Sequence, residues 1–121
     1  MKKPKILLID DEELFRNAME KTLRQEFEVV VAADGAKGLR LAEKIKPKLI
    51  LLDILMPEID GLEVLRRMKK NRKTKNIPVI LLTNVDKDES VSEGISLGVR
   101  GYMVKADYTG EEILAKVKNF I

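Results

Sequence analysis

KLILLDILMPEIDG, residues 48–61, decides the reading of the fold. Leu49 to Leu52 form an unbroken aliphatic run that ends on a carboxylate, Asp53. Gly61 then marks a joint, and Leu62, Leu65 and Met68 follow at helical spacing. A run that is apolar without alternation buries both of its faces, as the strands of a parallel sheet do.

Working outward, four other runs have the same character: KILLID at 5–10, FEVVVA at 27–32, IPVILL at 77–82 and GYMVK at 101–105. Helical spacing fills the gaps, with Leu14, Phe15, Ala18, Met19, Thr22 and Leu23 in the first helix and Ile113, Val117 and Phe120 in the last. Gly35, Gly98 and Gly110 fall at further joints, and Pro47 and Pro78 sit at strand entrances, where a missing amide hydrogen does little harm. Strand and helix alternating five times predict an α/β fold. It is a three-layer (βα)5 arrangement with one parallel five-stranded sheet, right-handed crossovers and helices on both faces. A single domain over residues 1–121 is expected. The segment 86–97, with only Val91, Ile95 and Leu97 as sizeable apolar residues and Gly94 inside it, should give the most weakly anchored helix.

Composition narrows the chemistry. The 121 residues contain no Cys and no His, so thiolate nucleophiles, Cys-based zinc sites and imidazole bases are excluded. Lys plus Arg number 23 against 20 Asp plus Glu, a net charge of +3, with the signs mostly interspersed as on a solvated surface. The apolar run Ile6 to Ile9 is far too short for a membrane span or signal core, so a cytoplasmic location is expected.

All strands of a parallel sheet point the same way, so the residues that end the runs gather on one edge, where open α/β folds bind ligands. Those residues are Asp10 and Asp11, Asp53, Thr83 and Lys105. If the strand order is the flavodoxin-like 2-1-3-4-5, strands one and three flank the switch point and bring the three carboxylates into one crevice. Carboxylates so close raise their own pKa values or recruit a hard cation, and oxygen donors alone suit Mg²⁺; Mn²⁺ could stand in for it. Lys105 and Thr83, expected on the far side of Asp53 from the acidic pair, suit phosphoryl oxygens. An Asp can act as the nucleophile that forms an aspartyl phosphate, a transfer that needs positioning and charge neutralisation but no general base. Taken singly, Asp10 or Asp11 would serve as a helix cap, Asp53 as a turn residue, Thr83 as another cap and Lys105 as a surface charge. Their joint placement is what those readings leave unexplained.

LLIDDEE, LILLDILMPEIDG, PVILLTN and GVRGYMVK together make the chain resemble the response-regulator receiver family over nearly its whole length, in the chemotaxis-regulator-like, stand-alone form. The resemblance implies a phosphoacceptor switch of a two-component phosphorelay. Asp53 would be the acceptor, Asp11, Asp53 and the Leu55 carbonyl would ligate Mg²⁺, and Asp10 would act through water. It implies that Thr83 bonds the phosphoryl group, that Tyr102 rotates inward, and that Lys105 bridges to the phosphoryl oxygens. Such a domain is not an enzyme beyond its own phosphotransfer and slow autodephosphorylation. Ala106 follows Lys105 where many relatives carry a cis proline. Asn84 stands where Ala or Gly is common, and apolar Leu55 and Val85 at the tuning positions cannot orient an attacking water, so slow loss of phosphate is expected.

With no His of its own, the chain is expected to take its phosphoryl group in trans, from a sensor histidine kinase, a histidine phosphotransfer protein or a small phosphodonor. No effector domain is expected to follow Ile121, so output is expected through the face of helix four, strand five and helix five, including Arg100, Tyr102 and Lys118, onto a protein target. A monomer is expected at rest, with dimerisation on phosphorylation open. Residues 66–75 carry seven basic residues and no acid, but no aromatic interleaves them, so a solvated face is favoured over nucleic-acid binding. Two alternatives remain: a pseudo-receiver that only docks to partners, and an Mg²⁺-dependent phosphatase with an aspartyl nucleophile. The second normally places another Asp two residues on, where Leu55 stands here. A flavin or nucleotide binder lacks any glycine-rich phosphate loop.

Overall fold

The computed structural model describes residues 2–84 and 89–121. Five strands, β1 (Lys5–Ile9), β2 (Glu28–Ala32), β3 (Leu49–Asp53), β4 (Val79–Thr83) and β5 (Gly101–Val104), form one parallel sheet in the order β2-β1-β3-β4-β5. The connections are α1 (Glu13–Leu23), α2 (Gly35–Ile45), α3 (Gly61–Lys69) and α4 (Glu89–Ser96), and α5 (Gly110–Phe120) closes the chain. This is the expected flavodoxin-like α/β architecture.

Alternate side chains along each strand divide the core into two layers. Leu7, Ile9, Ile50, Leu52, Val79 and Leu81 face one way and pack with Ala42, Val64, Leu65, Met68 and Val91 of α2, α3 and α4. Ile6, Leu8, Leu49, Leu51, Ile80 and Leu82 face the other way and pack with Met19 and Leu23 of α1 and Ile113, Leu114 and Val117 of α5. Each fully buried aliphatic side chain contributes on the order of 1.5–3 kcal/mol, so the central strands are the rigid frame on which the edge residues are mounted.

Some helix expectations need correction. Leu14 is 87% exposed and Ala18 is exposed as well, because the buried stripe of α1 runs through Phe15, Met19 and Leu23 and leaves its neighbours facing out. Phe120 and Ile95 likewise sit largely at the surface. The weak anchoring expected of the fourth helix is present: only Val91 and Gly94 of α4 are buried. A Cβ on Gly94 would lie 2.3 Å from Leu81 Cδ1, so the glycine lets α4 lie close to β4 despite its few apolar contacts. Of the segment 86–97, residues 86–88 lie outside the described residues.

The basic run 66–75 is less bare than its sequence suggests. Arg66 pairs with Glu63 and Glu93, Arg67 with Glu63, and Lys73 with Glu43, so acids from the same and neighbouring helices neutralise part of it. Among the described residues no helix is long and apolar enough to cross a membrane.

Candidate functional site at the carboxyl edge of the sheet

The register assembles the site. Ile9 pairs with Leu52, so the next residue on each strand, Asp10 and Asp53, lie side by side at the sheet edge. Asp53 pairs with Leu82, which puts Thr83 one step further along, and Thr83 pairs with Val104, which carries Lys105 beyond it. Lys105 itself opens a single 3-10 turn, Lys105–Asp107, and no peptide bond among the described residues is cis, so Ala106 continues the chain in trans.

Asp10 is fully buried and held from three sides. Its amide donates to the Ala32 carbonyl at 3.0 Å, its Oδ1 accepts from the Glu12 amide at 2.9 Å, and its carbonyl accepts from Arg16 Nη1 at 2.9 Å. Asp10 is therefore not the cap of α1, whose N-cap is Glu12 without a side-chain cap bond; its Oδ1 takes the Glu12 amide just ahead of the helix while the other oxygen faces inward. Asp11 is half-buried at the mouth, and one carboxylate oxygen from each of Asp10, Asp11 and Asp53 lies within 4.8 Å of the others.

Asp53 is 1% exposed and is fixed from behind by the start of α3. The Asp60 side chain caps that helix by accepting from the Glu63 amide at 2.9 Å, and the Gly61 amide donates to the Ile54 carbonyl at 2.8 Å. A Cβ on Gly61 would fall 2.2 Å from the Asp53 carbonyl oxygen, so only glycine allows α3 this close to the strand end.

The inward oxygens, Asp10 Oδ2 and Asp53 Oδ1, are buried, and among the described residues the Asp53 oxygen accepts no hydrogen bond while the Asp10 oxygen is met by the Lys105 ammonium. The Lys105 ammonium faces both, 2.7 Å from the first and 3.6 Å from the second. Burial, and then the neighbouring Asp10 charge, push the Asp53 carboxyl up to about 7, against the pull of Lys105. Burial also raises Asp10, with Lys105 partly offsetting it. Leaving a buried acceptor unmatched costs on the order of 1–3 kcal/mol, so three clustered carboxylates with an unmatched Asp53 oxygen fit a hard, oxygen-seeking divalent cation such as Mg²⁺.

Lys105 is a correction as well as a find. Its side chain is 6% exposed, so it is no solvated surface charge, and it does not sit on the far side of Asp53 from the acidic pair. The ammonium reaches across to Asp10 and Glu12, lying 2.5 Å from Glu12 Oε1 and 4.3 Å above the Phe15 ring. Burial opposes its charge, but the hydrogen bonds of Asp10 and Glu12 outweigh that and hold its pKa above the usual lysine value.

Thr83 is buried at 2% exposure, whereas Asn84 is exposed and donates from Nδ2 to Glu12 Oε1 at 3.5 Å. Leu55 follows β3 with its side chain 57% exposed, Tyr102 lies on β5 at 37%, and Val85 lies outside the described residues. Glu12 and Phe15 escaped the sequence reading. The available signal was the acidic LLIDDEE stretch, but side-chain reach across to the β5 edge is not visible in apolar runs.

A family model for the response regulator receiver domain matches residues 6–118. The chain is 44% identical over 103 residues to the transcriptional regulatory protein AfsQ1 of Streptomyces coelicolor, covering 84% of this chain and 44% of that protein. It is 36% identical over 115 residues to the alkaline phosphatase synthesis transcriptional regulatory protein PhoP of Bacillus subtilis, covering 94% and 47%. The chain thus spans about half the length of these curated relatives. Among solved structures, the chemotaxis protein CheY4 of Vibrio cholerae is similar with a TM-score of 0.90 at 29% identity, covering 98% of this chain and 99% of that one. With a family match over most of its length, and the fold and acidic edge described above, the chain belongs to the receiver domains of two-component response regulators.

Proposed function

We propose that Asp53 accepts a phosphoryl group from the phosphohistidine of a sensor histidine kinase or histidine phosphotransfer protein, and that the resulting aspartyl phosphate changes the surface offered to a downstream protein. The observation that carries this reading is the buried Asp53 carboxylate, held beside Asp10 and Asp11, with an oxygen that no donor satisfies and an ammonium 3.6 Å away.

Asp10, Asp11, Asp53 and the Leu55 carbonyl are the groups to hold Mg²⁺. Mg²⁺, when bound, neutralises the carboxylates and the phosphoryl oxygens, which otherwise repel one another. In the transfer, an Asp53 oxygen bonds to phosphorus while the phosphorus–nitrogen bond of the donor breaks, and the departing imidazole takes a proton from solvent. The chain needs no general base, because its nucleophile is a carboxylate. Its contribution is alignment and charge: β3 and Gly61 fix the attacking carboxylate, Lys105 offers an ammonium, and Thr83 offers a hydroxyl to the arriving oxygens.

A phosphoryl group that draws in Thr83 and Lys105 favours one arrangement of the loops after β4 and β5. Tyr102, outward at 37% exposure, turns inward, and the sparsely anchored α4 shifts with it. The face of α4, β5 and α5, with Arg100, Tyr102 and Lys118, is the output surface. Apolar Leu55 and Val85 leave hydrolysis slow, so the signal persists.

Intact mass after incubation with acetyl phosphate and Mg²⁺ tests the reading, beside an Asp53→Ala variant and a chelator control. One phosphoryl adduct that disappears in both controls is expected. No adduct with acetyl phosphate or with a phosphorylated histidine donor would turn the reading to a docking module that is never phosphorylated.

A further inference from the structure

We propose that Glu12 is a positioning residue that holds the Lys105 ammonium in a resting place, and that a phosphoryl group on Asp53 must displace it. The proposal deepens the functional reading above and rests on it. Glu12 lies at the entrance of α1, and its Oε1 meets Lys105 Nζ at 2.5 Å and Asn84 Nδ2 at 3.5 Å. One oxygen therefore ties together Lys105 and Asn84, the residues that directly follow β5 and β4, with the start of α1.

An ammonium has three donors and no more. In this structure Lys105 stands 2.5 Å from Glu12 and 2.7 Å from Asp10, but 3.6 Å from Asp53, with Phe15 beneath it. Its third donor remains, but the ammonium stands 3.6 Å from Asp53, and moving it toward a phosphoryl oxygen there stretches its contacts with Glu12 and Asp10. Asp10 is fully buried and pinned by the Glu12 amide, so releasing Asp10 would leave an unpaired charge without water. The Glu12 side chain is 48% exposed, so solvent can satisfy it at once. Glu12 is the partner that is cheap to release, and Asn84, the residue after Thr83, is freed in the same event. The charge pair favours the resting arrangement and competes with phosphorylation, which makes Glu12 a setting on the switch threshold.

Two variants separate this from a general field effect. Glu12→Gln removes the charge and keeps the reach; Glu12→Asp keeps the charge, shortens the reach and remains a good residue at a helix entrance. The probe is beryllofluoride, a phosphoryl mimic, titrated with saturating Mg²⁺ and followed by backbone amide NMR. Thermal melting confirms that all three proteins are folded. Both variants should bind the mimic more tightly than the unaltered chain, by roughly twofold to fivefold, the worth of one half-exposed ion pair. In both, the resting Asn84 side-chain amide resonance should move toward its mimic-bound position. Tightening by Glu12→Gln alone, with Glu12→Asp matching the unaltered chain, would overturn the proposal in favour of simple repulsion. Unchanged or weaker binding by both would also overturn it. No saturable binding by the unaltered chain would overturn the acceptor reading itself, and the positioning role with it.

Discussion

Replacing Asp53 by Asn should stabilise the protein in the absence of divalent cations. The carboxyl is 1% exposed and, through burial and then Asp10, is pushed from 3.8 to about 7. At 1.36 kcal/mol per unit, ionising it in the fold costs at most about 4 kcal/mol. Asn also gives up the attraction of Lys105, and Asp10 shares the burden, so a net gain of about 1–2 kcal/mol is expected at pH 8, equivalent to a rise in Tm of roughly 3–8 °C. Because the native carboxyl is raised, the folded state binds more protons than the unfolded chain between about pH 4 and 7, and stability falls as pH rises through that window. Asp10, raised in the same direction, adds to the slope. Urea unfolding in EDTA at half-unit steps from pH 5 to 8 reads both effects. The unaltered chain should lose stability across the range, Asp53→Asn should lose less, and Mg²⁺ should restore the former more than the latter. An Asn variant that melts at or below the parent at pH 8, or parental stability that climbs from pH 5 to 7.5, would refute the picture of an electrostatically loaded cluster.

Lys105→Gln removes the cation that faces two buried carboxylates and should destabilise the chain by about 2–4 kcal/mol in EDTA, with partial recovery in Mg²⁺; equilibrium unfolding with and without the ion checks this. Gly61→Ala forces a Cβ against the Asp53 carbonyl, so a loss of about 1–3 kcal/mol by the same assay should accompany slower labelling by acetyl phosphate. A polar side chain beside the acceptor should help orient water, so Leu55→Asn should shorten the half-life of the phosphorylated form severalfold, as read by phosphate release.

Much of this was legible in the sequence because a parallel sheet turns order into position. Unbroken runs such as LILLD and VILLT announce strands buried on both faces, and their final residues share an edge without any knowledge of side-chain packing. That argument brought Asp10, Asp11, Asp53, Thr83 and Lys105 to one place. It failed where reach mattered more than position. Lys105 follows β5 but spends its charge on Asp10 and Glu12, which follow β1 three strands away in the sheet order, because the loop beyond β5 and the long lysine stem together reach back over the edge of the sheet to those carboxylates. Leu14 misled for a related reason: helical spacing alone does not say which of two adjacent stripes faces the sheet. The tight approach of α3 and α4 through Gly61 and Gly94 is likewise a matter of backbone distance, visible only once the layers are stacked.

The central claim is that Asp53 carries the phosphoryl group. Borohydride reduces an aspartyl phosphate to homoserine, so the protein is labelled with acetyl phosphate and Mg²⁺, reduced, digested and sequenced by mass spectrometry. The account predicts homoserine at position 53 and nowhere else. Homoserine at Asp10, Asp11 or any other carboxylate, with Asp53 intact, would contradict it.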